Sequence, residues 1–588
     1  MKLKERYRRL SLWNKVAFWG SIASIIAIPI GVVLSWMSPV DEIKNDTARI
    51  VQLLEEEFRR QLGVKDSQIA FLHQQLEAFQ RSEKPSLRAR ELAAKIPPTA
   101  DPYALALKAI AERRFDDARK NLTTAQKIKE VELSRIYEAR GQTEFFAGLY
   151  TEAINWFQKA LAFRPDDANL LNQTGAAFYL AGRYAEAESL YQRSLDIREE
   201  AMGKEHPDVA ISLNDLAVLR QAQGKYAVAE PLYQRSLDIR EKAFGKEHTD
   251  VTLSLSNLAS LYRDQGKYTE AGVLYRRSLE IREKVLGKEH LDVASSLNNL
   301  AGIYDTQGKY AKAEPLYNRS LEIIEKTLGK EHPNVATVLN NLAGICHSQG
   351  RYAEAEDLYL RSLEIRKKTL GNEHPDVAQS LNNLAGIYHV QGQYSKAESL
   401  YKRSLAIWEK IVGKEHPNVA NCLNNLSGLY RTQGKYSDAE PLCRRSLEIR
   451  QRILGKNHPD VAISLNNLAG LYYAQGKYAE AEPLYQSSLE ILEKIYGKEH
   501  PIVAQIINNF GSIRYAQGKY GEAEVLYHRS LEIREKIFGK AHPIVAESLS
   551  NLAALYRAQG KSEKAEEFDR LSLDIRKKRL FGVSCGFE

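Results

Sequence analysis

The chain has 588 residues, 44% of them hydrophobic and 27% charged, which is too long for one compact core and too apolar for an intrinsically disordered chain. Its net charge of +8 is uneven: Lys2, Lys4, Arg6, Arg8, Arg9 and Lys15 against Glu5 put +5 in the first 15 residues and leave +3 for the other 573, so the domain-wide basic face that nucleic-acid binding needs is missing. The four cysteines, Cys346, Cys422, Cys443 and Cys585, form no CxxC or short-spaced set, which argues against both a disulfide framework and a zinc site.

After the basic tail 1–15, residues 16–37 read VAFWGSIASIIAIPIGVVLSWM without a charge. At ~1.5 Å per residue such a helix spans about 33 Å, enough for a ~30 Å hydrocarbon layer. Trp13 and Trp36 stand at its ends, where amphipathic rings suit the headgroup level. Pro29 would kink it, which a membrane helix tolerates. A cleaved signal peptide is the alternative, but the run is longer than an ordinary h-region and SWMSPVDE lacks a small-x-small site. Basic residues precede the run, and Asp41, Glu42 and Asp46 against Lys44 follow it. The expectation is a single-pass anchor with a cytoplasmic N-terminus and the rest extracytoplasmic, periplasmic in a bacterium.

Residues 41–81 carry a partial heptad, with Ala48, Glu55, Leu62, Ile69 and Leu76 at one core position and Val51, Phe58, Lys65, Leu72 and Phe79 at the other. Glu55, Lys65 and nearby Gly63 weaken the seam. A short coiled coil that forms a homodimer is one reading, and a helix packed on the repeats or on nothing is the other. Pro85, Pro97, Pro98 and Pro102 then punctuate the chain.

The phrase GKEHP recurs with variation from Gly203, Gly245, Gly287, Gly329, Gly371, Gly413, Gly455, Gly497 and Gly539, always 42 residues apart. A fixed period of this length means a stacked array. Each unit shows two helical patterns. One runs from about Asp292 to Gln307 with Leu297, Leu300, Ala301 and Tyr304 on a face; the next runs from about Tyr310 to Leu328 with Ala313, Leu316, Tyr317, Ser320, Leu321 and Ile324 periodic. Gly308 and Gly329 end them and are expected to supply left-handed caps. In His332–Pro333 the proline fits the first helical position and the histidine the cap. Alanine fills one slot ten times, from Ala187 to Ala565, which marks a close approach of helices.

A small residue, a step to tyrosine, then Gly-x-Tyr-x-x-Ala resembles the tetratricopeptide repeat. The 34-residue form is clearest at Gly141, Gly148, Tyr150, Ala153, Phe157, Ala160 and Pro165, and a more degenerate unit is expected around Ala106, Phe115, Ala118 and Ala125. The 42-residue units, with NNLA, QGKY and RSLEI before GKEHP, resemble the repeats of kinesin light chains. The resemblance covers roughly 99–579 and implies an all-α, right-handed α-solenoid of about twelve repeats. Its parts would be divergent repeats over 99–167, a 42-residue array over 168–579 and a tail over 580–588. In the last repeat Ser562 and Asp569 replace aromatic residues, as suits a solvent-facing end helix. Kinesin light chains use a longer heptad region to hold a motor heavy chain, and the poor heptad here does not carry that partnership over.

Six asparagine pairs sit in first-helix interiors: Asn298–Asn299, Asn340–Asn341, Asn382–Asn383, Asn424–Asn425, Asn466–Asn467 and Asn508–Asn509. Asparagine is ~0.5–0.7 kcal/mol worse than alanine in a helix, so twelve cost on the order of 7 kcal/mol. The resemblance implies that first helices line a concave groove for extended peptides, where Ser295, Asn298 or Asn299, Gly302 and Asp305 or Thr306 share a face, and where carboxamides would bond a peptide backbone. Gly344, Gly386, Gly428 and Gly470 add room as Gly302 does. The competing reading bonds the second asparagine of each pair to a neighbouring helix. The groove's neutral character points to a ligand held by backbone bonds and pockets.

The periodic histidines, such as His290, His332 and His374, come one per repeat, about two helix widths of ~8–10 Å apart, so no two share a metal and each reads as a turn or cap residue. Arg319, Arg361, Arg403 and Arg445 recur beside acidic residues and read as solvated ion pairs. No P-loop, dinucleotide fingerprint, GxSxG or HExxH occurs, so no catalytic set and no cofactor is expected. The resulting expectation is a membrane-anchored scaffold or adaptor that binds extended segments of other proteins. The alternative is a structural or regulatory subunit of a larger membrane complex that packs through its edges.

Overall fold

The computed structural model describes residues 115–581, which fold into 22 helices in paired order, roughly eleven repeats of an all-α solenoid. The chain divides into two units, Met1–Thr174 and Gly175–Glu588.

In the first unit the helix Phe115–Phe146 packs against Tyr150–Leu161. Gly141 lies under the Phe157 ring, where a β-carbon would stand 2.5 Å from it. Arg140 and Lys159 both sit over the Trp156 ring, at 4.4 and 4.0 Å. Of the degenerate repeat expected around Ala106, Phe115, Ala118 and Ala125, Ala106 lies outside the described residues, and the stretch from Phe115 runs unbroken to Phe146.

The second unit repeats one design. In the repeat of the first asparagine pair, helices Leu291–Thr306 and Tyr310–Leu328 pack together. His290 is extended, and its Nδ1 accepts the Asp292 N–H at 3.1 Å, so it satisfies one of the orphan donors of the first turn. The same bond recurs at each of the nine GKEHP histidines. At the first helix's end Gly308 has φ +66°, its N–H bonds the Asp305 carbonyl, and the Lys309 N–H bonds the Tyr304 carbonyl, both at 2.8 Å, which is a Schellman closure. Gly329 corrects the expectation of a left-handed helical cap. At φ +90°, ψ 159° it lies in the mirror-extended region that essentially only glycine enters. The alanine slot is sealed, at 0% exposure from Ala187 to Ala523 and 2% at Ala565.

Arg319, Arg361 and Arg445 bond Glu283, Glu325 and Glu409 of the preceding repeat's second helix, each at 2.6 Å and half-exposed, as solvated pairs of small net value. Among the described residues no group of three His, Cys, Asp or Glu stands close enough to hold a metal ion.

Within this unit the repeats wind until successive turns touch. His416 Nε2 lies 3.1 Å from the Leu180 carbonyl, 236 residues back, and His458 Nε2 lies 3.0 Å from that of Ala222. Because Nδ1 accepts the cap bond, Nε2 carries the proton and donates. The Tyr226 and Tyr496 rings meet at 5.5 Å, tilted by 31°, and share a 3.1 Å hydroxyl bond; those of Tyr268 and Phe538 meet at 6.1 Å, tilted by 30°.

The expectation of a single-pass membrane protein is corrected. Among the described residues no helix is long and apolar enough to cross a membrane. A span needs about 20 predominantly apolar residues, whereas the other helices run to 19 or 20 residues at most and the 32-residue Phe115–Phe146 carries charge along its length. The topology inferred from that anchor falls with it. The apolar run 16–37, the basic tail 1–15, the heptad and homodimer at 41–81, and the tail beyond Phe581 lie outside the described residues.

Candidate functional site: the first-helix groove

In the second unit, first helices of adjacent repeats touch one another, as Leu291–Thr306 touches Pro333–Ser348 and Pro417–Thr432 touches Pro459–Ala474. Helices converge on the inner wall of a curved stack, so this wall is the groove.

The asparagine pairs form a row along it. The second asparagine of one repeat donates to the first of the repeat before: Asn341 Nδ2 to Asn298 Oδ1, Asn383 to Asn340, Asn425 to Asn382 and Asn509 to Asn466, all at 2.9 Å. The row extends past the six pairs, with Asn257 bonding Asn214 at 2.7 Å and Asn551 bonding Asn508 at 3.0 Å. Inter-repeat bonds of ~1 kcal/mol each offset much of the propensity cost of asparagine.

One rung is missing. Asn424 Oδ1 is buried without a hydrogen-bond partner, its Nδ2 reaches Ser464 Oγ only at 3.5 Å, and Asn466 Nδ2 turns to Asn467 Oδ1 at 3.4 Å. A cavity of about 210 Å³ opens at this rung, lined by Asn424, Asn425 and Asn467 together with His389, Gly428, Arg431 and Cys443. Its cause is local. The second helix presents Tyr317, Tyr359, Tyr401 and Tyr485 at the position where Cys443 stands. Those phenols approach Gly302, Gly344, Gly386 and Gly470, whereas nothing lies within 4 Å of a β-carbon built at Gly428. Ser427 Oγ, in a slot that is alanine in the adjacent repeats, donates to the Ala439 carbonyl and meets Cys443 Sγ, each at 2.9 Å.

The groove's charge changes along its length. Burial pushes the Asp305 carboxyl up to about 6 and that of Asp215 up to about 7. Further along, burial lowers the His389 imidazole, with the Arg431 cation adding to the shift, and its Nε2 stands 2.9 Å from Thr432 Oγ1.

The tetratricopeptide repeat profile matches in overlapping windows at residues 166–242, 250–326, 306–368, 334–407, 376–442, 433–494, 460–527 and 502–578, and a second tetratricopeptide profile matches 141–182. The chain belongs to the tetratricopeptide repeat family. No curated protein matches it. Among solved structures, BtubC (BKLC) from P. vanneervenii is 26% identical, over 40% of this chain and 92% of that one, with a TM-score of 0.32. A putative kinesin light chain from Podosopora anserina with nearly identical TPR-like repeats is 30% identical, over 35% and 98%, with a TM-score of 0.30. A Rap protein complexed with Competence and Sporulation Factor is 16% identical, over 63% and 98%, with a TM-score of 0.44.

Of the asparagines singled out in this tetratricopeptide array, Asn298, Asn340, Asn382, Asn466 and Asn508 accept in the ladder and Asn341, Asn383, Asn425 and Asn509 donate, whereas Asn299, Asn424 and Asn467 make no ladder bond. Asn508 alone among them is nearly sealed, at 3% exposure. Sequence reasoning missed His389, Ser427, Arg431 and Cys443. The signal available was the departure of Ser427 and Cys443 from their own repeat consensus, both within one repeat.

Proposed function

We propose that this tetratricopeptide array is a protein–protein interaction scaffold that holds an extended segment of a partner protein along its first-helix groove. The observation that carries the reading is the broken rung at Asn424. A row of carboxamides keeps spare donors and lone pairs after the ladder is made, and at the one place where the ladder breaks between two pairs there is space for a side chain beside Asn424. Arg431 and His389 in that wall favour a side chain rich in acceptors, and Asp305 favours a donor or cation at the other end. A segment lying along the row thus has a preferred direction. Binding, not catalysis, is what such a site offers.

The test is crosslinking capture followed by mass-spectrometric mapping. Ser427→Ala with Cys443→Tyr refills the cavity with the consensus side chains and leaves the ladder intact. Asn298, Asn340, Asn382 and Asn424 all changed to Ala removes the acceptors. Partners that crosslink to first-helix residues of the wild type and vanish in both variants, with unchanged circular-dichroism melts for the first, support the reading. Capture that survives both variants overturns it and favours a subunit that packs through the exposed edges of its turns.

A further inference from the structure

The seam between successive turns recurs every 42 residues and has two unlike sides. One side is the glycine that ends a first helix, with the tyrosine two residues on. The other is a cap histidine, with the last residue of the following second helix. A β-carbon at Gly182 would stand 2.9 Å from the His416 ring, and one at Gly266 would stand 2.8 Å from that of His500; Gly224 meets Pro459 and His458, and Gly308 meets His542. Tyr226 receives Tyr496, and Tyr268 receives Phe538.

Both sides also occur unused. Gly392, Gly434, Gly476, Gly518 and Gly560 are exposed and have open space where the seam glycines meet a ring or proline. At the other end His206, His248 and His290 are exposed. Met202 and Phe244, the counterparts of Tyr496 and Phe538, are 47% and 40% exposed. These are the same chemical groups in the same 42-residue spacing as the seam that the chain already makes with itself.

We propose that a second copy of this chain completes them. His206, His248 and His290 of one copy dock on Gly476, Gly518 and Gly560 of another, and Phe244 packs on Tyr478 as Tyr496 packs on Tyr226. The contact is heterologous, joining unlike faces, so each added copy leaves one of each face free and the assembly grows as an open superhelix. Its chemistry is continuous with an interface already present: an imidazole N–H on a helix-end carbonyl, and a ring seated over a glycine that has no side chain to obstruct it. This inference is independent of the groove, which lies on another face of each repeat.

Light scattering of the full chain over a concentration series tests it with two variants. Met202→Glu with Phe244→Glu spoils the histidine edge. Gly476→Asn with Gly518→Asn places a side chain where the rings sit, and asparagine tolerates the left-handed region. The wild type is expected to grow beyond a dimer, and each variant alone to stay at monomer mass. Mixed together, the two are expected to double in mass and stop, because each retains the one edge that the other lacks. A milder variant, His206, His248 and His290 all changed to Asn, keeps the caps and loses the three donors. It should weaken association at least on the order of tenfold. A wild type that stays monomeric, association that persists in both edge variants, or a mixture that stays monomeric overturns the proposal.

Discussion

Arg534 reaches out of its own repeat into the next: its Nη1 donates to Ser548 Oγ at 2.7 Å and to the Ile544 carbonyl at 3.2 Å, with the side chain 1% exposed. Arg198 with Ser212, Arg366 with Ser380 and Arg450 with Ser464 repeat the bond at 2.6, 2.8 and 2.7 Å. At the same two positions other repeats bury Ile324 and Val338, Trp408 and Cys422, or Leu492 and Ile506. The array thus has two solutions to one interface, polar–polar or apolar–apolar, and the described repeats do not mix them.

Mixing them should therefore cost stability. Arg534→Met alone leaves Ser548 and the Ile544 carbonyl without their charged donor, and should cost about 1–3 kcal/mol. Adding Ser548→Val should recover most or all of the loss, since apolar replacements of buried charged networks are often neutral or better. Melting midpoints of the wild type, both single variants and the double variant measure the coupling. Additive losses would show that the two residues act independently.

Two glycines of the first helices should respond oppositely to alanine. At Gly511 a β-carbon would stand 2.8 Å from the Tyr527 ring, whereas at Gly428 nothing lies within 4 Å. Gly511→Ala should destabilise by about 1–3 kcal/mol through overpacking. Gly428→Ala should gain roughly 0.5–1 kcal/mol from the backbone entropy glycine otherwise loses. Paired thermal melts give the sign of each.

The seam should loosen in acid. Burial holds the His416 and His500 imidazoles down at about 4, and that of His542 likewise, with Arg534 adding to it there. Each depressed value lies below the ordinary ~6.5, so the folded state prefers the neutral ring. Their contribution is complete above about pH 6.5 and is lost as pH falls from there through about 4. The triple change of His416, His500 and His542 to Asn keeps an N-cap. Its melting temperature should fall less than the wild type's between pH 6.5 and 4. Parallel curves would place the acid sensitivity elsewhere.

Asp305 should act in the opposite sense. Its carboxyl is raised to about 6 by burial, so the penalty of ionising it in the fold is absent below about pH 4 and complete above about pH 6. Asp305→Asn should raise the melting temperature at pH 7–8 and leave it unchanged near pH 4, which melts at the two pH values check directly.

Much of the fold was legible because it is local. GKEHP announced both a cap and a helix boundary, and the Nδ1 bond at His290 needs only the backbone two residues on. The asparagine row was legible as a row, since a 42-residue period with helical phase puts Asn298 and Asn340 on equivalent positions. That Asn341 would bond Asn298, 43 residues back, needed the tilt between neighbouring first helices. The membrane reading rested on the composition of one stretch, and among the described residues no helix is long and apolar enough to cross a membrane.

What the sequence by itself determined is the repeating unit: two helices, their caps, the alanine slot and the stacking of each repeat on the next. These depend on contacts within about one period, and nearest-neighbour contacts dominate a solenoid's stability. Tertiary structure alone decided which histidines are covered. His206 and His416 occupy the same place in the same motif, yet one is exposed and the other lies under a carbonyl 236 residues away. That difference comes from small rotations summed over the repeats between them. It also decided that exchanging one tyrosine for Cys443 would open space in the groove and not collapse it, because the neighbouring repeats hold the helices on either side apart.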